Sequence, residues 1–194
     1  TRELARMIKQ ANIEFTGLED SNFDDPMGEA TGAAAIFGTT GGVMEAALRT
    51  AAEVVTGKEL DKIDFESVRG EKGIKKASIK IGDVDLKVAV ASGLGNAQEI
   101  MEEIKSGKAD YQFVEIMACP GGCVMGGGQP ICSATTRATV DVRAKRANAL
   151  YSADEKSTIR KSHENPVIKK LYDEYFEKCG SHKAHELLHT HYVE

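Results

Sequence analysis

The sequence has little of what would send a chain into a membrane, onto nucleic acid or out of the cell. No apolar run approaches the ~18 residues that a spanning helix needs, and no charged start followed by an apolar stretch marks a secretory leader. Basic residues are not in excess. Lys and Arg number 25 against 30 Asp and Glu, a net charge of −5 that argues against a nucleic-acid partner. Cysteine is scarce, with four in 194 residues, and a chain of this length with 41% hydrophobic content can bury a core without disulfide staples. Repeats and low-complexity linkers are missing as well. What remains is the expectation of a soluble, cytoplasmic protein forming one compact unit.

The pattern that is present alternates helix and strand. Leu4, Ala5, Ile8 and Ala11 recur at helical spacing over residues 2 to 11, ahead of a polar, acidic stretch from Glu19 to Asp25 that reads as an exposed loop. Small residues dominate from Gly28 to Phe37. Gly41-Gly42 then lead into Val43 to Ala52, whose good helix formers predict a helix with its amino end facing Gly38 to Gly42 and offering amides to an anion. Ala77 to Ile81 and Leu86 to Ala91 alternate about Gly82-Asp83 and predict a hairpin. A helix over about 97–106, a buried strand over 111–117 and helices over 143–151 and 166–178 follow, with a fraying helix from His182 to Glu194.

Against that background one stretch stands apart: E-I-M-A-C-P-G-G-C-V-M-G-G-G-Q-P, residues 115–130. Thiolates are soft ligands that select iron–sulfur clusters or zinc, and a cubane cluster takes four of them. Cys119 and Cys123 are placed to supply two. The glycines at 121, 122 and 126–128 remove Cβ atoms and let backbone approach a bulky inorganic group. A phosphate loop is the competing reading, but the closing G-K-[ST] of that motif is replaced by Gln129-Pro130. Two buried cysteines acting as small hydrophobes are the bland one.

The residues M-A-C-P-G-G-C-V-M-G-G-G-Q-P closely resemble the third cluster-binding motif of the FeFe (iron-only) hydrogenases. Ile36-Phe37-Gly38-Thr39-Thr40-Gly41-Gly42-Val43-Met44-Glu45-Ala46-Ala47-Leu48-Arg49 is similar to that family's F-G-x-T-G-G-V-M-E-A-A-L-R segment, and T-R-E-L at residue 1, K-S-H-E-N at 161 and A-H-E-L-L-H at 184 add further echoes. The resemblance implies one lobe of a two-lobed α/β catalytic domain over residues 1–150, a small mixed sheet flanked by helices, and a helical small-subunit-like tail over 151–194. It also implies an anaerobic hydrogen metabolism, the H-cluster as cofactor, and molecular hydrogen and protons as substrates. Ferredoxin or a nicotinamide-linked protein would be the electron partner.

Carried over position by position, the resemblance makes Cys119 a ligand of the 4Fe-4S cubane and Cys123 a ligand that also bridges to the di-iron unit with its carbonyl, cyanide and dithiolate groups. Phe37 and Met117 would line the di-iron pocket, and Gly126, Gly127 and Gly128 would let backbone approach the cluster. The family's other motifs, of the form T-S-C-C-P-G-W and M-P-C-T-A-K-K, do not occur. Two cubane cysteines and the proton-relay cysteine are therefore missing, no catalytic residue is assigned, and the chain is expected to be an inactive C-terminal fragment when isolated from the N-terminal part. Cys132 and Cys179 read as free thiols, and His163 as a residue that fixes a turn. Non-catalytic readings stand beside this one: a hydrogen sensor, an iron–sulfur assembly protein, or a zinc module built from the cysteines with His182, His185 and His189 along one helix face.

Overall fold

The computed structural model describes residues 1–22, 30–60, 62–70 and 72–191. Part of the acidic stretch 19–25, the start of the small-residue run at Gly28 and the last three residues of the tail lie outside them. The chain opens with α1 (Arg2–Gln10), which buries none of its residues, and passes through the short α2 (Gly32–Ala35), capped by the Thr31 hydroxyl, into α3 (Gly42–Thr56). Helix α3 carries Met44, Leu48 and Ala52 on one face at helical spacing, and all three are buried.

The predicted hairpin forms as β1 (Ile74–Ile81) and β2 (Val84–Ser92), paired antiparallel with Ile81 opposite Val84 across a turn at Gly82-Asp83. Helix α4 (Leu94–Lys105) then returns the chain so that β3 (Phe113–Met117) lies parallel to β2, giving the sheet order β1-β2-β3. This crossover makes β2 a central strand. Val88 and Val90 face α3 together with Ile79 and Ile81, while Ala89 and Ala91 face Ala97 and Ile100 of α4. Small residues on the α4 side admit the helix, and only the later part of the strand, residues 88–91, is continuously apolar, because both of its faces are covered there.

Beyond the sheet lie α5 (Ala134–Thr139), α6 (Val142–Lys156), α7 (Pro166–Leu171) and α8 (His182–Leu188), each with a side-chain oxygen or a proline at its amino end. Three of these depart from expectation. Helix α6 runs on past Tyr151 because Asp154, polar by type, is buried against α3. Helix α7 gives way after Leu171 to a π turn over Tyr172–Phe176, ended by Glu177 at φ 67°. The tail helix stops at Leu188, with His189 already extended.

Candidate metal centre

Strand β3 hands the chain directly to the cysteine loop, at the carboxyl end of a parallel pair where ligand sites in α/β sheets gather. The Met117 carbonyl accepts from the Gly93 amide at 2.8 Å, and the Gly122 amide closes a tight turn onto the Cys119 carbonyl at 2.9 Å. Cys119 is half-buried and Cys123 exposed. Gly122 sits at φ 94°, ψ −171°, a region essentially restricted to glycine, and a Cβ there would lie 2.7 Å from the Thr40 nitrogen. A Cβ on Gly126 would stand 4.0 Å from the Cys119 sulfur, whereas Gly127 and Gly128 face open space.

The loop is gripped from several sides. Ser92, buried at the end of β2, accepts the Gly121 amide at 3.3 Å, and the Gly121 carbonyl accepts the Thr40 amide at 3.2 Å. From α6 the Arg146 guanidinium donates to the Val124 carbonyl at 2.8 Å and the Pro130 carbonyl at 2.7 Å, and passes 3.6 Å from the Cys132 sulfur. Arg2 of α1 donates through its side chain to the Gly127 carbonyl and through its amide to the Gly128 carbonyl. Tyr151, stacked under Arg69 at 4.3 Å, accepts the Thr39 hydroxyl, and burial pushes its phenol up. A cavity of about 550 Å³ flanks Met125 toward α5 and α6, and its lining contains neither cysteine nor histidine.

The amino end of α3 does not stand open to an anion as expected. Glu115, buried on β3, places its carboxylate there and accepts the Gly41 amide at 2.6 Å and the Met44 amide at 2.7 Å. The anion that the helix end stabilises is thus part of the chain. Lys75 of β1, also buried, donates from the same side to the Thr40 carbonyl at 2.9 Å.

Phe37, 43% exposed, lies on the turn before α3 that packs against Gly122, and Met117 ends β3 two residues before Cys119. His163 does fix a turn: its ring bonds Thr50 at 3.0 Å and Glu53 at 2.8 Å on the later part of α3. The single helix face of histidines that the alternative zinc module would use is not formed, because His189 has left the helix, and its ring packs against His185 at 4.5 Å. Among the described residues the one set of three metal-capable side chains is Glu53, His163 and Glu164, and Lys161 places its ammonium 2.7 Å from Glu53 and 3.0 Å from Glu164. Cys179 is exposed. Sequence reasoning missed Ser92, Arg146 and Glu115; only Glu115, an acid inside a short apolar strand, carried a signal.

The chemistry of the donor set fits half of what a cubane takes, two thiols on a glycine loop with open space at Gly127 and Gly128. Comparison with known proteins gives the family. Residues 1–127 match the iron-only hydrogenase large subunit, C-terminal domain, and residues 140–194 the iron hydrogenase small subunit. The chain is 52% identical over 192 residues to the NADP-reducing hydrogenase subunit HndD of Solidesulfovibrio fructosivorans and 49% identical to iron hydrogenase 1 of Clostridium pasteurianum, covering 99% of itself and 32% and 33% of them. A cytosolic Fe-S cluster assembly factor, narfl of Xenopus tropicalis, is 30% identical over 99% of this chain and 40% of its own length. The FeFe-hydrogenase HydA1 of Chlamydomonas reinhardtii superposes with a TM-score of 0.73 at 45% identity, covering 98% of this chain and 54% of that one. The chain thus spans about a third of the hydrogenase sequences and about half of the solved structure, and across that span it belongs to the iron-only (FeFe) hydrogenase family.

Proposed function

We propose that this chain supplies the third-motif half of an FeFe hydrogenase active centre, with Cys119 and Cys123 as cubane ligands, and that a part bearing the two remaining cluster cysteines completes it. When bound, the H-cluster supplies the heterolytic cleavage and re-formation of hydrogen. The chain's own residues position, shield and enclose. Phe37 and Met117 provide nonpolar wall that keeps water away, and Gly126, Gly127 and Gly128 admit the group against backbone. Residues 1–150 act as the C-terminal lobe and 151–194 as the small-subunit-like tail. The setting is cytoplasmic, and the electron partner is a ferredoxin or, as the NADP-reducing relative suggests, a nicotinamide-linked protein.

The observation that carries this reading is a glycine-built loop, held by Thr40, Ser92 and Arg146, that carries the thiols of Cys119 and Cys123 four residues apart. The test is anaerobic reconstitution of the chain, alone and with the preceding segment of the NADP-reducing relative, with hydrogen evolution from a reduced viologen and the iron spectrum recorded. The chain alone is expected to evolve none, and the complemented protein to evolve hydrogen unless Cys123→Ala is present. A complemented protein that holds iron but evolves no hydrogen would favour the second reading, a cluster-assembly role, for which the 30% identical assembly factor is the support.

A further inference from the structure

The hydrogen bonds at Thr40 and Gly41 share a feature that neither residue shows alone. The Thr40 carbonyl and the Gly41 amide belong to one peptide unit. Its oxygen accepts the Lys75 ammonium at 2.9 Å, and its N–H donates to the Glu115 carboxylate at 2.6 Å. One peptide dipole therefore lies between a buried cation and a buried anion, oriented to satisfy both. Lys75 also reaches the Thr40 hydroxyl at 3.3 Å and the Gly70 carbonyl at 3.1 Å, and Glu115 also takes the Met44 amide, so each charge is tied down independently. Gly41 allows the arrangement, since φ is 91° and a Cβ would collide with the Val68 carbonyl. The preceding amide, Thr40 N–H, is the one that holds the Gly121 carbonyl between the two cysteines.

We propose that Lys75 and Glu115 are positioning residues for the cluster thiols. Acting from opposite ends of the Thr40–Gly41 peptide, they fix the Thr40 amide that sets Gly121, and with it the placement of Cys119 relative to Cys123. The proposal rests on the cysteine pair being a ligand site, and goes beyond it by assigning two residues outside the motif to the geometry of that pair. Partners that orient metal ligands carry a measurable share of metal affinity.

The test uses the 194-residue chain with Cd²⁺ as a thiolate probe, titrated anaerobically by sulfur-to-metal absorption, and thermal unfolding of each variant in parallel. Cys119→Ala and Cys123→Ala define the site: if wild type binds no Cd²⁺ through them, the ligand reading itself fails. With binding established, Lys75→Met and Glu115→Gln are each expected to weaken it by roughly tenfold to a hundredfold, the scale of second-layer effects on metal sites. Lys75→Arg should restore it. The double variant should be no weaker than the worse single one, because both side chains act on one peptide. A folded single variant that binds Cd²⁺ as tightly as wild type overturns the proposal. So does a double variant whose losses multiply, and so does failure of both single variants to fold, which would make the charges supports of the fold rather than of the loop.

Discussion

Arg49 on α3 and Asp154 on α6 are joined by two parallel hydrogen bonds of 2.8 Å, with neither side chain exposed. Around this fork Glu45 bonds Arg49 at 2.8 Å and Arg69 at 2.7 Å, Arg160 bonds Asp154 at 2.6 Å, and Asp64 links Arg69 to Arg160. The network fastens the helix that begins beside the cysteine loop to the helix that supplies Arg146. Asp154→Ala removes the bidentate one of two buried carboxylate partners from a fully buried guanidinium, and a loss of about 3–5 kcal/mol in denaturant stability is expected. A loss below that seen for exposed ion pairs would mean that Glu45 and Asp64 suffice.

Glu53 gives the fold an acid-sensitive contact. The Lys161 ammonium, the Leu60 amide and His163 hold its carboxyl down to about 2, against an ordinary value of 4.5. A carboxyl depressed on folding stabilises the folded state above its ordinary value, and that contribution fades as pH falls from about 4.5 toward about 2. Unfolding midpoints measured across this window should decline in the wild type and decline less in Lys161→Met, which lacks the main cause of the depression. Equal slopes in the two proteins would remove Lys161 from the explanation.

Gly122→Ala is expected to disable the cysteine loop more than it unfolds the protein. The new Cβ meets the backbone of Thr39 and Thr40, in a φ, ψ region that L side chains avoid at a cost of order 1–3 kcal/mol. The loop is the movable party, since the Thr40 side is anchored in the core. Cd²⁺ titration should show loss of the thiol pair, with most of the thermal stability retained. Retention of wild-type Cd²⁺ affinity would show that the loop tolerates the shift.

Arg146→Lys keeps the charge but loses the fork that reaches the Val124 and Pro130 carbonyls together. The cost in global stability is expected to be about 1 kcal/mol, of the order of a single hydrogen bond. Limited proteolysis between Cys123 and Cys132 should accelerate. Unchanged cleavage would leave Thr40 and Ser92 as the sufficient anchors.

What was legible in the sequence was local. The hairpin at Gly82-Asp83, the helix after Gly41-Gly42 and the thiol loop each announce themselves within a dozen residues, through turn chemistry, helix formers and glycine spacing. What was not legible depends on partners far along the chain. Asp154 looks like the solvated end of a helix until Arg49 is placed against it, and for that reason α6 read as ending at Tyr151. The amino end of α3 read as an anion site on sound physics, but the anion is Glu115, more than seventy residues away. The tail histidines share helical spacing, yet the helix stops one residue before the third of them.

The same long-range anchoring governs the order in which the thiol loop matures as the polypeptide leaves the ribosome. Thr40 and Ser92 precede Cys119 and Cys123 and are ready to receive them, but Arg146 and Asp154 follow. Both sulfurs are therefore synthesised before the helix that clamps their loop, since Arg146 follows Val124 by 22 residues. In the interval the loop has its Thr40 and Ser92 anchors but not the Arg146 clamp, so the thiol pair is chemically present before its geometry is complete.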